Sequence, residues 1–159
     1  MSKNRGIYKL ATHRHTSYAS NVQNKIERYL RKQGGRMTGV RHEIVSVMAA
    51  LDGPKTAYQI LESANKKRKS KLSAISVYRT LDFLTKAGAA LKFESQNAYE
   101  LCLCDKSEHS HLMMICDKCG HIREIEAPEL SKTLSKTAKD HGHRLKHHVI
   151  ELHGICSSC

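Results

Sequence analysis

Four of the six cysteines stand in two C-x-x-C pairs, Cys116-Asp117-Lys118-Cys119 and Cys156-Ser157-Ser158-Cys159. A two-residue spacer lets both thiolates of one pair reach a single metal ion. Two such pairs complete a tetrahedral S4 shell, the ligand set of structural zinc. Residues 120–155 lie between the pairs. That gap exceeds the usual ribbon spacing, so a small folded unit must form within it. A redox C-x-x-C would not account for two like motifs, and disulfides are not expected in a cytosolic chain.

A second set of donors gathers upstream: Cys102, His109, His111 and Glu124. His109 and His111 point the same way if their stretch is extended. One sulfur, two imidazoles and a carboxylate make a mixed zinc set. Cys104 and His148 are further donors that could replace one member. The set draws on both halves of the chain, so filling it would fix their relative orientation. A metal that selects one conformation in this way is a sensor. The thiolate favours zinc over ferrous iron, because soft donors do. Two zinc ions per chain are therefore expected, one structural and one regulatory.

The charge divides along the same line. Residues 1–92 carry 19 Lys and Arg against 5 Asp and Glu, whereas residues 93–159 carry 8 against 10. The whole formal excess of +12 sits in the first half. Such asymmetry points to a polyanion-binding module joined to something else. The apolar fraction of 40% supplies a core, although aromatics are only 5% and aliphatics must do the packing. No apolar run approaches the ~20 residues of a membrane span. The basic N-terminus carries no hydrophobic segment of the secretory kind. A cytoplasmic location with no membrane partner is the expectation.

Helical spacing and stop signals place the elements that must hold these residues. Val22, Ile26 and Leu30 mark a first helix that Gly34-Gly35 stops. Thr38 can cap a second, carrying Ile44, Val45, Met48 and Leu51. Thr56 can cap a third with Tyr58, Ile60 and Leu61, followed by the cationic run 66–71. That run is read as an inter-helix loop with some attraction for phosphates. Ser73 can cap a fourth with Val77, Leu81 and Leu84 inward, closing near Gly88. Leu91–Glu94 and Ala98–Cys102 then flank Ser95-Gln96-Asn97 as a hairpin. Short helices followed by a two-stranded wing describe a winged helix-turn-helix, whose last helix enters the major groove. Here that helix would present Ser76, Tyr78 and Arg79. Arg is the usual partner of guanine, and Tyr can touch a thymine methyl or a phosphate.

The second half reads as strand, strand, helix, strand. Leu112–Cys116 and His121–Ile125 flank the first knuckle, Pro128 opens a helix to about Asp140, and Arg144–Gly154 alternates before the second knuckle. The expected fold is α+β: an N-terminal winged helix-turn-helix followed by a small α/β dimerisation domain with a four-cysteine structural zinc. The expected division is a basic flexible arm over 1–17, a winged-helix domain over 18–102 and a metal-binding dimerisation domain over 103–159. No H-E-x-x-H, deaminase pairing, G-x-S-x-G or Walker loop occurs, so neither an enzyme nor a small-molecule substrate is expected.

Four stretches carry a resemblance: Ser76-Val77-Tyr78-Arg79-Thr80-Leu81, Tyr99-Glu100-Leu101-Cys102, Ile115–Gly120 and His148–Cys156. Together they resemble the ferric uptake regulator family. Cys102 directly after the wing strand is similar to its zinc uptake branch. The resemblance spans about residues 20–159. It implies a bacterial, homodimeric, metal-dependent repressor of metal-uptake genes that binds palindromic double-stranded DNA operators. By position, it implies that Tyr78 and Arg79 contact DNA and that Arg41 lies near the DNA backbone. It also implies Cys102, His109 and Glu124 as regulatory zinc ligands. Leu91 stands where that branch often has a histidine, and His111 is taken as the substitute ligand. His148 matches a metal-binding position of iron-sensing relatives. The expected function is a zinc-responsive repressor; the alternative is an iron- or peroxide-sensing repressor of the same family.

Overall fold

The computed structural model describes residues 16–66, 68–103, 110–145 and 148–159, and for residues 16–20, 110 and 148 the backbone alone. Four helices come first: α1 (Thr16–Lys32), α2 (Gly39–Ala50), α3 (Ala57–Asn65) and α4 (Ala74–Lys86). A short strand β1 (Lys55–Thr56) precedes α3, and β2 (Ala90–Phe93) and β3 (Ala98–Leu101) follow α4. Five of these helix boundaries have a local cause. At the end of α1, Gly34 takes φ +73°, which lets Gly35 N–H reach Leu30 O and Gly34 N–H reach Arg31 O. Gly88 closes α4 in the same way, with φ +73°. Thr38 and Ser73 accept backbone N–H groups at the starts of α2 and α4, and Thr56 forms a reciprocal capping box with Gln59.

These helices bury one aliphatic core. Val22, Ile26 and Leu30 of α1 meet Ile44 and Val45 of α2, Ile60 of α3 and Val77, Leu81 and Leu84 of α4. Tyr58 departs from the expected apolar face. The buried stripe of α3 is Ala57, Ile60 and Ala64, and Tyr58 is 68% exposed. The wing gains a third strand that the sequence reading did not contain, since β1 pairs antiparallel with β3 in the order β1-β3-β2.

The second sheet is built from β4 (Ser110–Cys116), β5 (Ile122–Ile125) and β6 (His148–Gly154), with α5 (Pro128–Asp140) between β5 and β6. Its order is β5-β4-β6, antiparallel on one side of β4 and parallel on the other. Strand alternation puts His111, Met113 and Ile115 of β4 on one face, with Glu124 of β5 and Val149, Glu151 and His153 of β6. That face receives the wing. Leu91, Phe93, Ala98 and Cys102 form a second core with Met113, against which Ile122 and Val149 pack. The opposite face carries Met114 and Leu152, which are paired in register and exposed. Among the described residues no helix is long and apolar enough to cross a membrane.

Candidate functional site

The two C-x-x-C pairs converge. Parallel pairing of β4 with β6 brings Cys116 opposite Gly154, so the turn after each strand ends at the same place. One sulfur from each of Cys116, Cys119, Cys156 and Cys159 lies within 4.8 Å of the others. The separations are 3.7 Å for Cys116–Cys159, 3.8 Å for Cys119–Cys156 and 3.4 Å for Cys156–Cys159. Four sulfurs at ~2.3 Å from a tetrahedral zinc stand about 3.8 Å apart, so the cluster has the dimensions of that ion's shell. Its electrostatics also call for a cation. The N–H of Cys156 donates to Cys116 Sγ at 3.3 Å. With the N–H of Cys119, it brings that thiol down to about 6 from an ordinary 9.0. Cys159 is pushed the other way by its neighbours Cys156 and Cys119. Without positive charge the cluster therefore resists a second thiolate.

The second donor set forms at the seam between wing and sheet. Cys102 follows β3, is buried, and has its N–H fixed on Ala89 O at 3.0 Å. Its Sγ lies 3.5 Å from Nε2 of His111, a residue only 2% exposed. On the other edge of the ring, Nδ1 lies 2.6 Å from Glu124 Oε1. That short contact turns Nδ1 to the carboxylate and leaves Nε2 facing the thiol. Carboxylate-backed histidines at metal sites have this arrangement. Glu124 thus stands behind His111 rather than beside Cys102. Leu91 is buried in the core around Cys102. Cys104 and His109 lie outside the described residues, as does the side chain of His148. A cavity of about 420 Å³ opens between the sheets onto Glu124, lined also by Lys55, Glu100 and His121. Burial, and then Glu124, hold Glu100 above the ordinary carboxylate value.

The basic half presents α4. Tyr78 and Arg79 are exposed on it, opposite the buried Val77, Thr80 and Leu81. Ser76 Oγ sits 3.0 Å from Ser73 Oγ, within the cap of the helix. Tyr58 packs edge-on against Tyr78, with ring centroids 6.5 Å apart. The sequence reading missed Tyr58 because it grouped that side chain with the apolar Ile60 and Leu61. Its position one residue off the Ala57–Ile60–Ala64 stripe is the available signal. Arg41 stacks its guanidinium 3.4 Å from the centre of the Phe83 ring and donates to Arg36 O. The side chain is thereby fixed against α4.

Residues 32–153 match the model of the ferric uptake regulator family. The zinc uptake regulation protein of Escherichia coli (strain K12) is 36% identical over 134 residues, covering 84% of this chain and 78% of that protein. Among solved structures, a zinc uptake regulator complexed with zinc and DNA superposes with a TM-score of 0.73 at 33% identity, covering 89% of this chain and 94% of the other. The crystal structure of holo XcZur gives 0.70 at 31% identity, covering 89% and 97%.

Proposed function

The chain belongs to the ferric uptake regulator family, and from that premise we propose that it is a zinc-responsive transcriptional repressor of zinc-uptake genes. The observation that carries this reading is the Cys102–His111–Glu124 constellation at the seam of wing and sheet. A thiolate in that constellation favours zinc over ferrous iron. The E. coli relative named for zinc uptake regulation, and the solved relative bound to zinc and DNA, support the same choice.

The proposed division of labour follows the charge. Residues 1–17 are a basic arm, 18–102 the winged-helix DNA-binding domain and 103–159 the metal-binding dimerisation domain. Cys116, Cys119, Cys156 and Cys159 would hold a structural zinc, whose charge balances the thiolates. Cys102 and His111, with His109, would hold a regulatory zinc while Glu124 orients the His111 ring, giving two per chain. Cys104 and His148 are the reserve donors. Cys102 belongs to the wing, whereas His111 and Glu124 belong to the sheet, so joint ligation ties one to the other. A fixed wing sets the spacing of two recognition helices in a homodimer, which then match half-sites one or two helical turns apart on a palindrome. Tyr78 and Arg79 read base edges, with Ser76 beside them and Arg41 near the backbone. The exposed Met114–Leu152 pair supplies the apolar surface for the second copy. The repressor acts in the bacterial cytoplasm by occluding its operator.

The test is DNA binding by fluorescence anisotropy across buffered free zinc, with bound metal counted in the same samples. Affinity that rises as occupancy climbs from one to two per chain is the expected result. Flat affinity with occupancy held at one would overturn the reading.

A further inference from the structure

Glu151 takes no part in the proposed metal sites or the DNA face, yet its carboxylate bridges the second sheet to the tip of the wing. It lies on β6 and reaches the turn between β2 and β3. The N–H of Glu94 donates to Oε1 at 2.6 Å, and the N–H of Ser95 donates to Oε2 at 3.3 Å. Two successive amides converging on one carboxylate satisfy both of its oxygens and fix the position of the turn. The side chain is only 12% exposed. Burial alone would raise its pKa, but the hydrogen bonds from Ser95 and from the Glu94 and Ser95 amides outweigh that and lower it.

The carboxylate is anchored at both ends of a longer chain. His153 Nε2 lies 3.7 Å from Glu151 Oε2, and His153 Nδ1 lies 2.8 Å from Asp117 Oδ1. Asp117 sits inside the first knuckle, and its own N–H donates to Gly154 O at 2.8 Å. Across the sheet, Glu151 pairs in register with Met113, and Met113 pairs with Glu124. The wing grip and the His111–Glu124 pair therefore hang from one row of the same sheet. The wing in turn carries Cys102 at its base. Cys102 meets His111 only when the wing is docked, and Glu151 favours the docked wing.

We propose that Glu151 is a positioning residue: it latches the wing turn to the sheet and thereby stabilises the arrangement in which Cys102 meets His111, backed by Glu124, at the second zinc site. The coupling to zinc rests on the repressor reading above, whereas the latch itself does not. Because two events that favour one conformation favour each other, removing the latch weakens zinc binding at the seam by as much as the factor it costs docking, in proportion to the docked fraction lost.

The experiment uses the full chain as its homodimer with the first zinc bound, comparing wild type with Glu151→Ala and Glu151→Gln. Competition with a chromophoric chelator reads the affinity of the second zinc, and amide exchange reads the wing turn over residues 93–98. Glu151→Ala is expected to weaken the second zinc by about 5-fold or more. It should speed exchange at Glu94 and Ser95 and retain the first zinc. Glu151→Gln keeps the size and one acceptor, so it should fall between the two. It decides the matter if the Ala variant loses the first zinc. Unchanged exchange at the wing turn would overturn the latch. Faster exchange with unchanged affinity for the second zinc would make Glu151 merely structural and overturn the coupling. A wild-type chain that binds one zinc only would sink the repressor reading instead, and the exchange comparison would still judge the latch.

Discussion

Glu124 and Glu151 flank Met113 in a single cross-strand row of the second sheet, both on the face that receives the wing. Strands lie ~4.8 Å apart, so the two backbone positions are about 10 Å from each other. One carboxylate turns to His111 and the other to the wing turn. A rigid sheet row thus fixes both the candidate zinc site and the strand pair that delivers Cys102 to it. The position of Glu124 behind the imidazole makes a specific expectation. Glu124→Gln should keep the second zinc but weaken it by about 10–100-fold, the usual effect of losing a carboxylate that orients a metal-binding histidine. Cys102→Ser should weaken it more and make DNA affinity indifferent to zinc. Chelator competition on the two variants checks the order, and equal losses would place Glu124 among the direct ligands.

Arg79 is exposed on α4 beside Tyr78, in the half of the chain that carries the positive excess. A bidentate base contact from such a residue is worth about 1–3 kcal/mol. Arg79→Ala should therefore weaken operator binding by roughly 5- to 150-fold at fixed salt while leaving the zinc content unchanged. Operator affinity of the parent protein should also fall steeply with salt, because lysines and arginines release counterions from the phosphates. Anisotropy titrations at several salt concentrations check both. A flat salt response would remove the electrostatic basis of the DNA reading.

Much of this was readable in the sequence because its causes are local. Thr38, Thr56 and Ser73 cap the helices expected of them, and the buried faces of α1 and α4 follow the aliphatic spacing. The four-cysteine cluster was readable because each knuckle is a local turn and the metal's geometry supplies the rest. What escaped is long-range. Strand β1 is two residues long and owes its existence to β3, more than forty positions away. Tyr58 looked apolar by composition, whereas the helix turns its small residues inward and leaves the ring against Tyr78. Glu151 occupies an alternating position of a strand, which reads as a solvated carboxylate until the wing is folded onto it. The order Cys102, His111, Glu124 along one imidazole is likewise a tertiary fact.

Met114 and Leu152 are partners in register on the face away from the wing, and both are exposed, at 47% and 43%. An adjacent apolar pair on a small sheet is the centre that an isologous dimer needs. Leu152→Glu would place like charges across the proposed two-fold interface. It should shift the protein from dimer to monomer in sedimentation and abolish tight operator binding. The first zinc should remain, since Cys156 and Cys159 follow the strand in the same chain. A stable dimer from this variant would move the interface elsewhere.

The cysteine cluster makes the fold sensitive to metal and to pH in a definite direction. In the metal-free chain the folded-state pKa of Cys116 is about 6, below the ordinary 9.0, because backbone N–H groups of Cys156 and Cys119 point at its sulfur. A group whose pKa is lowered by folding contributes its full stability above the unfolded value and loses it as pH falls through the folded one. Cys159 is shifted upward by the neighbouring sulfurs, so it is protonated throughout the neutral range. The metal-free protein should accordingly show one thiolate step near pH 6 in its ultraviolet absorbance, absent in Cys116→Ser. Its stability should decline from about pH 9 down to about pH 6. Zinc replaces the protons on the remaining thiols, so its release at neutral pH should take up protons and loosen the junction of β4 with β6 first. Chelator-induced unfolding, followed with a pH indicator and by amide exchange, checks the sign. Proton release on chelation, or a knuckle that stays protected without metal, would show that the cluster is held by packing rather than by the ion.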